Sequence, residues 1–152
     1  MSDIVENIVI VGGGPVGATL ALLLAKQGIA VTVLEARKQS AAYSEIRALA
    51  LSYGSKRILE KLGVWGSLAK SATAINTIHV SQKGSLGRSK LQASDYQQEA
   101  LGYVLSYGAL SEALDTALAN QTLVNFVFEA SAENLAHTST HASVTYTHQG
   151  KS

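Results

Sequence analysis

The first third of the chain alternates short apolar runs with glycines and one proline. The run NIVIV, residues 7–11, is β-branched and ends at a glycine, which predicts a buried strand. Pro15 suits the first turn of a helix, whose apolar positions continue to Lys26 before Gly28 ends it. A second β-branched run, IAVTVLEA, predicts a strand that reaches an acid at Glu35. Together these elements predict a βαβ unit with parallel strands and a right-handed crossover.

The middle of the chain is less regular. Residues 36–52 show no clean period, so we expect an extended segment along the surface. A helical pattern follows, with Ser52 as its N-cap and Gly63 as its end. Its predicted apolar face comprises Ile58, Leu59 and Leu62. The stretch AINTIHVSQKGSLGRSKLQASD alternates apolar and polar residues around glycines, which predicts a β-hairpin or a meander.

The last third of the chain predicts strands around one further helix. LGYVLS has a strand pattern, and GALSEALDTALAN places Leu110, Leu114 and Leu118 on one helical face that would pack on a sheet. TLVNFVFEA predicts a third buried strand, and AENLAHT and ASVTYTHQG predict an antiparallel pair joined near residues 138–141. The pattern favours one α/β domain with a Rossmann-like parallel sheet and an inserted β-meander.

Composition narrows the possible functions. Of the 152 residues 47% are hydrophobic, and the formal net charge is +1. This balance provides no broad basic surface, so no nucleic-acid partner is expected. The absence of cysteine excludes disulfides, thiolate nucleophiles and cysteine-bound metal clusters. The four histidines fall on predicted strands and turns and not as a ligand pair on a helix, so no metal site is expected.

The apolar N-terminal stretch is not expected to be an export signal. Its first residues include Asp3 and Glu6 instead of Lys or Arg, and glycines and a proline interrupt the apolar run. The run is also shorter than the roughly 20 residues that a membrane-spanning helix needs. We therefore expect a cytoplasmic protein.

The turn after the first strand carries the spacing G-x-G-x-x-G at Gly12, Gly14 and Gly17. In such a turn the first glycine permits a tight bend, the second lets a pyrophosphate approach, and the third lets helix and strand pack closely. The helix N-terminus adds unpaired N–H groups and a partial positive charge. Glu35, about 20 residues further on, can accept hydrogen bonds from ribose hydroxyls. The combination favours a dinucleotide site over a purely structural glycine turn.

The segment after Glu35 bears on which dinucleotide is bound. NAD and FAD both present ribose hydroxyls to such an acid, whereas Glu35 would repel the 2′-phosphate of NADPH. In an NAD-binding domain a helix and a third parallel strand follow the second strand directly. Here a long irregular segment, a helix and a β-meander come first. This interruption favours FAD as the bound cofactor.

These stretches also resemble a known family. IVIVGGGPVGATLALLLAKQGIAVTVLEA, followed by SEIRALALS and LGVW, resembles the FAD-dependent aromatic hydroxylases related to p-hydroxybenzoate hydroxylase. LGVWGSLAKSATAINTIHVSQKGSLG, LQASDYQQEALGYVL and GALSEAL are most similar to the ubiquinone-biosynthesis branch of that family. Many flavoproteins share the glycine fingerprint, whereas ATAINTIHVSQKG joined to ALGYVL is more specific to the branch.

The resemblance implies roles for individual residues. Gly12, Gly14 and Gly17 would line the pyrophosphate of FAD, and Glu35 would hold the adenosine ribose. Arg47, in EIRALALS, matches an arginine that in this family reaches back to the FAD. The resemblance further implies an enzyme that uses NAD(P)H as transient reductant and O2 to hydroxylate a polyprenylated phenol of ubiquinone biosynthesis. Such a substrate favours peripheral association with the inner membrane or with a ubiquinone-biosynthesis complex.

The chain also departs from the family's pattern. Glu45 stands where the branch often has aspartate, and SYGAL, residues 106–110, lacks the arginine or glutamine that the wider family commonly carries near the flavin. Later DG and GD motifs and a substrate-covering sheet of family members do not occur by Ser152. The resemblance therefore implies that residues 1–152 are the N-terminal part of an FAD-binding domain, expected to be inactive alone.

Two other functions remain open from the sequence. One is a non-catalytic dinucleotide-binding module that passes its ligand state to a partner. The other is an NAD-dependent dehydrogenase domain, which nicotinamide binding without flavin would support. No residue of this chain is assigned a catalytic role.

Overall fold

The computed structural model of the protein describes residues 8–84 and 87–148. The helices and strands follow one another in the order β1 (Ile8–Val11), α1 (Pro15–Lys26), β2 (Val31–Glu35), β3 (Ala48–Ser52), α2 (Tyr53–Lys61), α3 (Trp65–Leu68), β4 (Thr73–Ile75), β5 (Thr77–Ser81), β6 (Arg88–Gln92), β7 (Gly102–Ser106), α4 (Tyr107–Ala119), β8 (Val124–Phe128), β9 (Ala130–His137) and β10 (Ala142–His148). The described residues up to Ser44 and from Leu110 onward form one compact unit, and Glu45–Ala109 form a second.

The first unit is built on a parallel sheet of three strands in the order β1–β2–β8. β2 lies in the middle, with its Leu34 opposite Val11 of β1 and Val127 of β8. Because the strands are parallel, their carboxyl ends meet at one edge of the sheet, where the turn into α1 begins. The predicted α/β fold with a βαβ unit is confirmed.

Helix α1 lies against this sheet through mostly small side chains. Small residues let a helix axis approach a strand closely. By contrast, Val16, at the start of the helix, does not face the sheet, since its exposed fraction is 85%. Gly28 follows the helix at φ +79°, and its N–H donates to the Ala25 carbonyl at 2.9 Å, so the predicted end of the helix is confirmed. The buried face consists of Ala18, Ala21, Leu22 and Ala25.

The rest of the first unit combines α4, from Leu110 onward, with β8 and a hairpin. The predicted apolar face of α4 is confirmed, since its three spaced leucines, Leu110, Leu114 and Leu118, are buried. β9 and β10 form the predicted antiparallel pair, and the Thr138 N–H donates to the His141 carbonyl at 2.8 Å across the turn. β8 was expected to be buried, but Asn125 is exposed and its neighbours are half-buried. β1 was expected to be fully buried, but Val9 is 44% and Val11 59% exposed. The reason is that β1 and β8 lie at the two edges of the described sheet, on either side of β2.

The second unit contains a three-stranded antiparallel sheet in the order β3–β7–β4 and a separate hairpin of β5 and β6. The hairpin is one of the two arrangements predicted for this stretch. Ser52 is the N-cap of helix α2, as predicted, and its Oγ accepts a hydrogen bond from the Ser55 N–H at 3.1 Å. Gly63, at φ +76°, follows the end of α2.

Two expectations for the middle of the chain are wrong. Residues 36–52 do not form one irregular segment, because Ala48–Ser52 are strand β3, paired with β7 from Ala48↔Ser106 to Ser52↔Gly102. The alternation of Ala and Leu gives too little contrast between apolar and polar positions to indicate this strand, which long-range pairing stabilises. The apolar face of α2 is also narrower than expected, since Leu59 is buried but Ile58 is 40% exposed.

Candidate functional site

The first and third glycines of the motif are required by the fold itself. Gly12 has φ +99°, a left-handed conformation that favours glycine, and its N–H donates to the Leu34 carbonyl at 2.8 Å. A Cβ on Gly17 would collide with the carbonyl oxygen of Gly12 and lie 3.2 Å from the Ile10 side chain. Gly12 therefore permits the tight bend, and Gly17 permits the close approach of α1 to β1.

The second glycine of the motif begins helix α1. Gly14 is the N-cap at φ −64° and ψ −178°, an extended conformation that any residue can adopt, so backbone geometry does not explain why a glycine stands there. No described side chain caps this helix end, and its first turn contains Pro15 but no acid. The partial positive charge of the helix is thus not neutralised by a nearby carboxylate within that turn.

Gly13, between the motif glycines, contributes to the site as well. Its N–H donates a buried hydrogen bond of 2.8 Å to Oε2 of Glu35. A Cβ on Gly13 would collide with the ring of Phe126 and come within 3.0 Å of the Glu35 side chain. The G-x-G-x-x-G spacing does not identify Gly13 as part of the site. The signal in the sequence that could have pointed to it is the run of three glycines at residues 12–14.

Glu35 lies at the carboxyl end of β2 and is 6% exposed. Its Oε1 accepts hydrogen bonds from the Arg37 backbone N–H at 2.8 Å and from Arg37 Nε at 2.9 Å. Burial by itself would raise the pKa of Glu35, but the hydrogen bonds from Arg37 and Gly13 outweigh it and hold that pKa below its ordinary value. Glu35 is therefore an ionised acceptor that faces the glycine turn at neutral pH.

Arg37 was not identified from the sequence as part of this cluster. It stands two residues after Glu35, the spacing that brings side chains to the same side of an extended chain. Its side chain is 42% exposed, so the charge that balances Glu35 remains in contact with solvent. The glycine turn, Glu35 and Arg37 thus place backbone donors, a buried carboxylate and a guanidinium next to one another.

A small cavity is lined by Glu35 and also by Tyr43, Ser111 and Asp115. The Tyr43 hydroxyl donates to Oδ2 of Asp115 at 2.8 Å, and the Ser111 hydroxyl is buried without a hydrogen-bond partner among the described residues. Burial raises the pKa of Asp115, an effect that the Tyr43 hydrogen bond and the charge of Arg37 offset only in part. Burial and the Asp115 carboxylate raise the pKa of Tyr43 to about 12.

The structure brings four of the five sequence-predicted residues into one cluster, Gly12, Gly14, Gly17 and Glu35, within the first unit. Arg47 belongs to the second unit. There its Nε contacts Oε1 of Glu45 at 3.1 Å, and its guanidinium carbon lies 4.6 Å from the centroid of the Tyr107 ring. The Arg47 side chain is 61% exposed, so it is accessible to an anionic ligand.

Residues 8–84 and 87–148 contain no group of three or more His, Cys, Asp or Glu side chains that could hold a metal ion. Within the same residues, none of the helices has the length and apolar character needed to cross a membrane.

Several curated proteins are similar to this chain. Ubiquinone hydroxylase UbiL of Rhodospirillum rubrum is 32% identical over 123 residues, which cover 77% of this chain and 28% of that protein. The 3-demethoxyubiquinol 3-hydroxylase of Escherichia coli is 31% identical over 122 residues, 78% of this chain and 31% of that protein. An uncharacterized protein of Synechocystis is 27% identical over 145 residues, 95% of this chain and 35% of that protein. The chain thus spans about a third of the length of these relatives.

Solved structures share the fold. The p-nitrophenol 4-monooxygenase PnpA from Pseudomonas putida aligns with a TM-score of 0.72 at 20% identity, over 96% of this chain and 38% of that one. The flavin-dependent monooxygenase PieE, solved in complex with FAD and substrate, aligns with a TM-score of 0.74 at 18% identity, over 93% of this chain and 26% of that one. The sequence profile of the FAD binding domain matches residues 6–152. This chain therefore belongs to the FAD binding domain family.

Proposed function

We propose that this chain binds FAD at the glycine turn and Glu35. The pyrophosphate would lie against the start of α1, where Gly12, Gly14 and Gly17 leave the backbone without side chains, and the adenosine ribose would donate its hydroxyls to Glu35. The observation that carries the proposal is the buried, ionised carboxylate of Glu35, tied by a 2.8 Å hydrogen bond to the glycine turn. The membership in the FAD binding domain family supports it.

The ribose would share Glu35 with Arg37. Nε of Arg37 lies 2.9 Å from Oε1 and Nη2 lies 3.4 Å from Oε2, positions that ribose hydroxyls would otherwise take. A carboxylate offers about four acceptor positions. The Gly13 N–H and three donors of Arg37 already occupy the carboxylate of Glu35, so it cannot also accept from the ribose hydroxyls without losing some of these bonds. We expect the half-exposed Arg37 side chain to shift when the ribose binds, while the Gly13 N–H keeps Glu35 oriented.

Arg47 is proposed as a further FAD ligand. This assignment comes from its place in the EIRALALS motif and is compatible with the exposure of its side chain. A guanidinium offers several donors in a plane and suits the phosphate oxygens of a dinucleotide. Its contact with FAD stays a prediction.

For the complete protein we propose an FAD-dependent aromatic monooxygenase of ubiquinone biosynthesis. The sequence motifs resemble those of 2-octaprenyl-6-methoxyphenol hydroxylase, which suggests a polyprenylated phenol as substrate. The similarity to the two ubiquinone-related hydroxylases supports this choice. Bound FAD would supply the redox chemistry, with NAD(P)H as transient reductant and O2 as co-substrate. The contribution of this chain is to bind and orient the dinucleotide. We also propose a cytoplasmic location, with peripheral association with the inner membrane or with a ubiquinone-biosynthesis complex.

Cofactor binding is tested by the visible spectrum of the purified full-length protein and by titration of its apoprotein with FAD. Gly14→Val should abolish binding, because a branched side chain would stand between the helix start and the pyrophosphate. Gly66→Val is a matched control, since a Cβ at Gly66 meets no atom within 4 Å. A colourless protein that takes up no FAD, or a Gly14→Val variant with unchanged flavin content, would contradict the proposal.

The proposed reaction is tested with the flavin-loaded full-length protein. NAD(P)H oxidation should accelerate when a polyprenylated phenol is added, and isotopically labelled O2 should leave one labelled oxygen in the product and one in water. Binding of NADH without any uptake of FAD would favour the dehydrogenase alternative. Uptake of FAD with no turnover on any phenol would favour the non-catalytic module.

A further inference from the structure

Arg47, Tyr107 and Glu45 are brought together by strand register. β3 and β7 pair as an antiparallel ladder in which Ala48 lies opposite Ser106. The ladder continues one step, because the Tyr107 N–H donates to the Arg47 carbonyl at 2.8 Å. Tyr107 is thus the cross-strand neighbour of Arg47, and Glu45, two residues before Arg47 on an extended chain, shares its face.

These two neighbours restrain the guanidinium of Arg47 from two sides. The Tyr107 ring lies 4.6 Å from the guanidinium carbon, within the range in which a cation is attracted to an aromatic face. Oε1 of Glu45 forms an ion pair with Nε at 3.1 Å. Tyr107 is itself 9% exposed, so its ring is held by the surrounding packing and provides a fixed surface under a side chain that is largely exposed.

We propose that Tyr107 is a positioning residue for Arg47, whose guanidinium it holds in place before the dinucleotide binds. The inference rests on the proposed FAD site. A long arginine side chain loses rotamer freedom when it binds a ligand, and a side chain already held in place loses less. This assigns a role to the SYGAL segment, in which the sequence offered no flavin contact. Tyr107 would act on FAD through Arg47 and not by touching it.

The test is a double-mutant cycle on the dissociation constant for FAD, measured by flavin fluorescence with apoprotein of the full-length protein. Arg47→Ala should raise Kd about ten-fold or more, the loss expected for a charged hydrogen bond. Tyr107→Leu should raise Kd about two- to five-fold, as for an exposed cation–aromatic contact. Tyr107→Phe keeps the ring and should restore the wild-type Kd. In the double variant, Tyr107→Leu should add nothing to Arg47→Ala.

Tyr103→Leu is the matched control. Tyr103 lies on β7, the strand that leads directly into α4, but packs against Trp65, with ring centroids 4.9 Å apart, so its loss should lower the Tm and leave Kd unchanged. If Tyr107→Leu does not fold, Tyr107→Met fills the same buried position without an aromatic face and takes its place in the cycle.

The outcomes separate this inference from the function on which it rests. Full additivity of Tyr107→Leu and Arg47→Ala, or an unchanged Kd in Tyr107→Leu, would overturn the positioning role while leaving FAD binding intact. An unchanged Kd in Arg47→Ala would remove Arg47 from the site and the positioning role with it. Failure of the wild-type apoprotein to bind FAD would remove both proposals. Coupling that Tyr107→Phe rescues would support the inference.

Discussion

Replacement of Gly17 by alanine tests whether the close contact between the first turn of α1 and the backbone of Gly12 constrains the glycine turn. The added methyl group would collide with the carbonyl oxygen of Gly12 and lie 3.2 Å from Cγ2 of Ile10. The Gly12 carbonyl belongs to the backbone of the turn, so no rotamer change can relieve the collision. Helix α1 would have to move away from β1, or the turn would have to open.

The expected magnitude follows from two opposing effects. Overpacking at a close contact typically costs about 1–3 kcal/mol, whereas alanine in place of glycine stabilises a helix by up to about 1 kcal/mol. We therefore expect Gly17→Ala to lower the free energy of unfolding by about 1–2 kcal/mol. For a protein of this size, each kcal/mol corresponds to about 2–4 °C in Tm, so Tm should fall by about 2–8 °C.

Thermal unfolding followed by circular dichroism measures the effect, with Gly54→Ala as the matched control. Gly54 lies in helix α2, and a Cβ there would meet only the Ser52 hydroxyl at 3.7 Å, an ordinary contact. The control should leave Tm unchanged or raise it slightly. If Gly17→Ala matched the control, the close approach of helix and turn would not constrain this position. The affinity for FAD should fall in Gly17→Ala as well, since the same turn would bind the pyrophosphate.

Two further predictions concern the ionisable groups around the site. Glu35→Gln should destabilise the protein by about 1–2 kcal/mol at neutral pH, the scale of a charged hydrogen bond, and raise Kd for FAD. Because the pKa of Glu35 is lowered in the folded protein, its contribution to stability is present above the ordinary pKa of glutamate and is lost as pH falls through the lower value. The difference in stability between wild type and Glu35→Gln should therefore vanish in acid. A difference that stays constant with pH would contradict this. Tyr43→Phe should cost about 1 kcal/mol through the lost hydrogen bond to Asp115. Since the pKa of Tyr43 is raised from 10.0 to about 12, that contribution should be complete below the ordinary tyrosine pKa, decline as pH rises above it and disappear near pH 12. An ultraviolet titration of wild type against Tyr43→Phe that shows ordinary ionisation of Tyr43 would refute this.

Lys56 illustrates how a residue of ordinary appearance in the sequence takes part in the core. Its ammonium group contacts Oε1 of Glu60 at 2.6 Å and lies within 6 Å of three aromatic ring centroids, those of Tyr53, Trp65 and Tyr103. The spacing of Lys56 and Glu60 suggests an ion pair on one helix. The rings of Trp65 and Tyr103 come from other elements, so only the folded chain encloses this cation.

The sequence alone determined the elements that depend on near neighbours. β-branched runs around a glycine turn, a proline at a helix start and leucines at helical spacing specify the βαβ unit and α4, because each signal acts within a few turns of chain. Gly12 could be assigned for the same reason, since the tight turn needs a left-handed residue at that position. The acid at the end of β2 could be placed because parallel strands bring their carboxyl ends to one edge.

Tertiary structure alone decided the contacts between distant residues. Strand β3 exists because β7 pairs with it, and Tyr43 meets Asp115 across 72 residues of sequence. The bond from Gly13 to Glu35 spans 22 residues, and no local spacing predicts which glycine N–H the carboxylate accepts. Local spacing constrains dihedral angles within one element. A site is formed by the strand register and the packing that bring separate elements together, and these are defined only once the chain has folded.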